Sequence, residues 1–318
     1  NFTWSLFIIL VMISEISGCK GFGHLTHVDM TYPKAAFCED CHGDIYHEWI
    51  NSPHARAFTS NTFRMATHNY SFTDCLGCHA PEPTFSATQS ESRTIFREEG
   101  VTCTSCHLEE GKMVGPVKPT GILAPHSVRV DDDRYRNSQL CGRFHEGTFK
   151  EWSDVKAENK HNCQECHMPP VKRRITQSEK FISKMIVATE DESVQKKHTF
   201  GVYVELPDIT PFHVTVNREG ELFKLVLENN MPHALPTGDF GIRIITVDIL
   251  AVQTNNEVIR IKRFELIKDL HTAIPPKGSA NWTFSLPNTV KAVRCVISRS
   301  RVNSDVREDL YQTEVPII

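Results

Sequence analysis

The sequence has no marked excess of either charge. Its 35 Lys and Arg stand against 39 Asp and Glu, a formal net charge of -4 over 318 residues. A nucleic-acid binder of this size would carry a strong basic bias, so that class of partner is set aside. Long apolar runs are also scarce. Leu6 to Ile13 form an unbroken run inside a mostly apolar stretch from Phe2, and no other stretch approaches the roughly 20 residues a spanning helix needs. There is no sign of bulk disorder, because 40% of residues are hydrophobic and only 23% are charged.

The apolar stretch near the N-terminus has the length of an export leader. It ends at Ile16-Ser17-Gly18-Cys19, small residues followed by Cys, which is the pattern of a lipobox. The expectation is a leader over residues 1–19, export to the periplasm or outer cell surface, and a lipid on Cys19 that holds the protein at a membrane. An ordinary secretory leader with an incidental Cys is the alternative.

What the sequence has in abundance is 11 Cys and 16 His. Eight of the cysteines fall into four copies of CxxCH: Cys38/Cys41/His42, Cys75/Cys78/His79, Cys103/Cys106/His107 and Cys163/Cys166/His167. Two residues between the thiols let both reach the vinyl groups of one haem from a single turn, and the next residue, His, lies beneath the iron as proximal ligand. Zinc sites, redox dithiols and disulfides account for a lone CxxC but not for four CxxCH runs behind an export leader. The cofactor expected is therefore haem c, four copies, covalently attached. Outside the motifs and Cys19, only Cys141 and Cys295 remain, either free or paired with each other. Cys141-Gly142-Arg143-Phe144-His145 reads as a fifth motif whose second Cys has become Phe. In this reading its haem is lost, and His145 remains as a distal ligand to a neighbour or as a relic.

The motifs all fall within residues 20–170, which are rich in short helical segments and turns. Residues 171–199, with Lys172-Arg173-Arg174 and Glu190-Asp191-Glu192, read as a charged connector, partly helical, with its charges on a solvated face. From residue 200 to 318 the pattern becomes β-branched and alternating, over Phe212–Asn217, Glu221–Glu228, Ile242–Val252, Glu257–Phe264, Asn281–Leu286 and Val290–Ser298. The expected fold class is α+β: a mainly helical and irregular multihaem domain followed by an antiparallel β-sandwich-like domain.

The run Cys38-xx-Cys41-His42 continues into Tyr46-xx-Trp49-xx-Ser52-Pro53-His54-Ala55. With Gly100-Val101-Thr102 before the third motif and Met168-Pro169 after the fourth, this resembles the cytochrome c-552/4 family of multihaem cytochromes. His198-Thr199-Phe200-Gly201 and Asn230-Met231-Pro232-His233 resemble the β domain often attached to such proteins. That resemblance implies that His198 and His233 are haem ligands. Phe144 departs from relatives that have Cys there.

Each iron has a second axial position. A second His there gives a six-coordinate iron suited to electron transfer, and an open position admits a substrate. The distal candidates are His54, within the Tyr46/Trp49 signature, and His126, after Ala124-Pro125 where a loop returns over a haem. His198 and His233 follow from the resemblance, and His145 stands in reserve. The expected function is electron transfer through a chain of bis-His haems in a respiratory or extracellular route, with redox proteins as partners and without catalysis. Two alternatives remain open: a multihaem redox enzyme with one open haem, and a homo-oligomeric extracellular filament.

Mass spectrometry of the denatured mature protein is expected to show the polypeptide plus four haems; a mass with five would place one on Cys141. Cys19→Ser is expected to move the protein from the membrane to the soluble fraction, and a wild type already soluble and unacylated would remove the anchor.

Overall fold

The computed structural model describes residues 33–83, 91–120, 126, 128–157, 160–177, 187–201, 210–238, 243–301 and 307–317. The leader and Cys19 lie outside the described residues. In chain order the first elements are α1 (Ala35–Ile50), α2 (Asn61–Ala66), α3 (Leu76–His79), α4 (Cys103–His107), β1 (Leu108–Glu109), β2 (Lys112–Gly115), β3 (Val128–Val130) and α5 (Asp132–Arg136). They are followed by α6 (Gln139–Gly142), α7 (Glu146–Asp154), α8 (Cys163–His167), β4 (Pro170–Arg173) and β5 (Ser193–Lys196). The remainder is strand: β6 (Phe212–Glu219), β7 (Leu222–Asn229), β8 (Arg243–Gln253), β9 (Val258–Ile267), β10 (Ser279–Phe284), β11 (Val290–Arg301) and β12 (Arg307–Pro316). Helices and mainly antiparallel sheets together make a mixed α+β chain. Among the described residues, no helix is long and apolar enough to cross a membrane.

The chain divides into two compact units. One takes the described residues up to Asn137 together with His167–Gly201; the other takes Ser138–Cys166 and the described residues from 210 onward. Residues 138–166 thus cluster with the strands that follow the connector, although they precede it in sequence.

In the first unit two of the five described helices end at a motif histidine. α3 ends at His79, α4 at His107, and α1 kinks at His42, whose φ of -122° and ψ of 45° leave the helical region. A CxxC pair spans one helical turn, so both thiols lie on one face; leaving the helix at His turns the imidazole away from the next turn. The third motif opens with a reciprocal cap: the Thr102 side chain accepts from the backbone N–H of Ser105, and the Ser105 hydroxyl accepts from that of Thr102.

The connector differs from its expected form. β4 and β5 pair antiparallel within it, and two of its charges are buried. Arg173, 8% exposed, donates to both oxygens of Glu48 on α1, at 2.7 and 3.1 Å. Glu190, also 8% exposed, accepts the backbone N–H groups of Ile175 and Thr176. A run of alternating charge reads as solvated in one dimension; pairing across the fold is what buries these two.

In the second unit β10-β7-β6 and β12-β11-β8-β9 form two antiparallel sheets. Both contribute to one core. Leu225 and Leu227 from β7, Val247 and Ile249 from β8, and Val293, Cys295 and Ile297 from β11 are fully buried. Each such aliphatic side chain contributes about 1.5–3 kcal/mol over its exposed state. β12 was not anticipated from the sequence. It pairs with β11 at the sheet edge with few buried positions, so its apolar period is weak. The turn expected at Asn217–Gly220 is tighter, because β6 runs to Glu219 and β7 starts at Leu222. Cys295 is buried in this core and Cys141 hydrogen-bonds Cys163 instead, so the two do not pair.

Asp248 on β8 is buried and accepts from Arg263, at 2.7 and 3.0 Å, and from Arg307. Burial opposes its ionisation, but the hydrogen bonds from Arg263 and Arg307 outweigh that and hold the carboxyl below its ordinary value of 3.8. A depressed folded pKa contributes stability that is present above the unfolded value and lost as pH falls through the folded one. Asp248→Asn is therefore expected to cost about 1–3 kcal/mol near neutral pH. Thermal melts from about pH 5 to about pH 3 are expected to fall more steeply for the wild type than for the variant; parallel curves would remove Asp248 from the acid response.

Candidate haem centres

Each proximal histidine directs Nδ1 at a backbone carbonyl. His42 donates to Ile175 O at 2.9 Å, His79 to Ala57 O at 2.6 Å, His107 to Val114 O at 2.8 Å and His167 to Gly201 O at 2.8 Å. An Nδ1–H engaged in this way fixes the tautomer and leaves Nε2 as the ligating nitrogen. Burial holds His42, His79 and His107 below the ordinary histidine value, against the carbonyl hydrogen bonds that oppose it. The imidazoles are thus neutral at physiological pH, as ligation requires.

Two proximal rings face a second imidazole. His42 and His126 have ring centroids 6.3 Å apart, and His107 and His198 have centroids 6.1 Å apart. Two nitrogen–metal bonds of about 2.0 Å, with about 1.1 Å from each nitrogen to its ring centre, predict a separation near 6.2 Å across one iron. Both pairs therefore have the spacing that a bis-His haem needs. His198 is also pushed down to about 3, chiefly by burial and then by the charges of His107 and Arg173. Its backbone N–H donates to Glu48 Oε2 at 2.9 Å, and its Nδ1 donates to Lys196 O at 3.0 Å. The carboxylate that pairs with Arg173 is thus also the group that sets the place of His198.

The thiols of Cys38 and Cys103, from the first and third motifs, hydrogen-bond each other. Trp49 Nε1 donates to Val101 O at 2.8 Å, and Val101 N donates to His54 O at 3.0 Å. This is why the Tyr46/Trp49/His54 run and the Gly100-Val101-Thr102 run occur together: one docks on the other. Gly100 has a φ of 62°, and a Cβ there would collide with the backbone of His54 and Ala55. The His54 ring lies 4.1 Å from that of Phe200.

His233 and His145 lie in the second unit. Asn229, fully buried, donates through Nδ2 to the carbonyls of His233, Ile274 and Pro275, and Glu151 on α7 accepts from Ala234 N at 2.9 Å. The loop bearing His233 is held on both sides. His145 caps α7, and its N–H donates to Cys141 O at 3.0 Å, the same helical turn that His79 makes with Cys75. Cys141 hydrogen-bonds Cys163, which this contact lowers to about 7 against the effect of burial. A shallow apolar cleft lies against Cys166, lined by Val155, Met231, Pro232, Lys160 and Lys277.

Several functional groups had no signature in the sequence. The four carbonyls are backbone. Arg93, 1% exposed, donates to Pro81 O, Thr102 Oγ1, Ser105 Oγ, Phe96 O and Gly100 O, tying the residues after the second motif to the start of the third. Tyr135 stacks on His107 at 5.0 Å, and Phe63 stacks on His79 at 3.7 Å.

Residues 37–108 match the family model described as Cytochrome c554 and c-prime. The match spans residues 37–108 of the 318, so it is a likeness of that segment to a family of multihaem c-type cytochromes. Among solved structures the chain is similar to a penta-heme cytochrome c552 from Thermochromatium tepidum, at 16% identity and a TM-score of 0.57, covering 90% of this chain and 99% of that one. A superoxide reductase from Nanoarchaeum equitans matches 35% of this chain and 96% of its own length at 18% identity, with a TM-score of only 0.24. No curated protein matches the chain.

Proposed function

We propose that the chain is an exported tetrahaem electron carrier, with a haem on each of Cys38/Cys41, Cys75/Cys78, Cys103/Cys106 and Cys163/Cys166 and with His42, His79, His107 and His167 as proximal ligands. The single observation that carries this reading is the spacing of the two histidine pairs, 6.3 and 6.1 Å, with the proximal Nδ1 of each already engaged. His126 and His198 are the distal ligands opposite His42 and His107. His54, His233 and His145 remain the candidates for the other two irons.

Haem iron, when bound, supplies a one-electron redox change. The chain's own residues do the rest. Imidazoles on both faces keep the coordination number constant, which limits reorganisation on each change of charge. The thioether cysteines fix position, and the Cys38–Cys103 contact sets two attachment points side by side. The apolar cleft beside Cys166 offers a wall to the fourth macrocycle, away from water. Export agrees with the covalent attachment, which keeps the cofactor in place outside the cell. The lipobox reading of Cys19 places the carrier at a membrane, where other redox proteins reach it.

His126→Ala and His198→Ala are each expected to turn about one quarter of the haem absorbance from low-spin to high-spin and to open that fraction to carbon monoxide. The oxidised wild type is expected to be low-spin throughout and to bind carbon monoxide slowly or not at all. A stoichiometric high-spin haem in the wild type would overturn the carrier reading and favour an enzyme with an open iron.

A further inference from the structure

The carbonyls behind His42 and His107 are differently loaded. Ile175 O accepts the Nδ1–H of His42, and the N–H of the same peptide group, that of Thr176, donates to Glu190 Oε2 at 3.2 Å. The other carboxylate oxygen, Oε1, accepts Ile175 N at 2.9 Å. Glu190 is 8% exposed, so solvent screens it little. A carboxylate accepting from a peptide N–H polarises that peptide and makes its oxygen a stronger acceptor. The chain His42 Nδ1–H···O=C–N–H···carboxylate therefore draws the proton away from the ring. Gln177 Nε2 also reaches Ile175 O, but at 3.2 Å, longer than the 2.7 Å of the hydroxyl that reaches the carbonyl behind His107.

At His107 the opposite holds. Val114 O accepts Nδ1–H at 2.8 Å and also faces the Tyr135 hydroxyl at 2.7 Å, whose single proton is shared with Cys106 O at 2.7 Å. A second donor on one oxygen weakens the first bond. The neighbouring charge is also of opposite sign. Arg93 lies fully buried against Ser105, between the two cysteines of this motif. Arg173, the other buried guanidinium of this unit, is paired with Glu48.

A more imidazolate-like ligand donates more electron density and favours ferric iron, which lowers the reduction potential; a weaker Nδ1 bond and a buried cation raise it. The geometry points to a built-in potential step: the haem on His42 is the lower-potential member and the haem on His107 the higher-potential member of a neighbouring pair, with Glu190 and Tyr135 as the positioning residues that set the step. This rests on the haem assignment proposed above. With haem held by both motifs, an electron would pass from the His42 site to the His107 site with no bond made or broken and no proton moved. External redox proteins fill the first site and empty the second.

The experiment is a potentiometric titration of the haem-loaded protein, followed by optical and electron paramagnetic spectra, on the wild type, Glu190→Gln and Tyr135→Phe. Both substitutions keep the shape of the side chain. Glu190→Gln is expected to raise the lower potential of the pair and narrow the gap. Tyr135→Phe keeps the ring on His107, removes only the hydroxyl, and is expected to lower the upper potential and narrow the gap from the other side. A merely structural role would not move two different haems in opposite directions. A gap that Glu190→Gln leaves unchanged or widens, or an upper potential that Tyr135→Phe leaves unchanged or raises, overturns the inference. Those results would leave a low-spin tetrahaem spectrum intact, whereas a wild type without low-spin haem pairs overturns the assignment beneath it.

Discussion

The structure depends on the hydrogen bond from each proximal Nδ1–H to a backbone carbonyl. An imidazole has two nitrogens, and a ligand must present one of them neutral and correctly aimed. The chain meets this by burying the ring and giving the other nitrogen a carbonyl. The carbonyls are far from their histidines in sequence: Ile175 is 133 residues from His42, Gly201 is 34 from His167, and Ala57 is 22 from His79. Only Val114, 7 residues from His107, is local. Long loops therefore have to close before His42, His79 and His167 are engaged, which agrees with the inclusion of His167–Gly201 in the same compact unit as the first three motifs.

The residues that close those loops are also those that place a distal imidazole. Glu48 lies one residue before Trp49 in the signature of the first motif, binds Arg173 from the connector and receives the backbone N–H of His198. One carboxylate thus links the helix of the first motif, the connector, and the ring that faces the third motif's histidine. A buried ion pair is weak as a source of net stability, because desolvation offsets much of its attraction. Its value here is positional: the guanidinium holds Glu48 in the one orientation that leaves an oxygen for His198.

What the sequence made legible follows from whether a feature is local. The CxxCH runs are local, and so were read completely; so were six of the strands, whose period-2 pattern reports a buried face. His126 and His198 were both named as distal candidates, and their ring centroids lie 6.3 and 6.1 Å from those of His42 and His107, but no spacing in the sequence said which ring neighbours which. The connector was misread for a related reason. Arg173 and Glu190 look like any surface charge until their partners, 125 residues away and 14 to 15 residues away, are known. The carbonyls, Arg93 and Tyr135 left no trace, because a backbone oxygen has no letter and a lone Arg or Tyr has no motif. The strand at Arg307–Pro316 was invisible because an edge strand with few buried positions has no strong period.

The segment Cys141–His145 shows where backbone geometry stops being informative about chemistry. It keeps the turn of an intact motif, and its first thiol meets Cys163 much as Cys38 meets Cys103. But that turn is an ordinary i to i-4 hydrogen bond, which any helical sequence makes without a haem. Phe144 fits it as well as Cys does. The second thioether is a covalent bond that no side-chain substitution imitates, so its loss removes one of the two attachments while leaving the backbone unaltered. A retained fold is therefore no argument for a retained fifth cofactor. The sequence holds four complete thiol pairs, and the proposed number of doubly attached haems rests on that count alone.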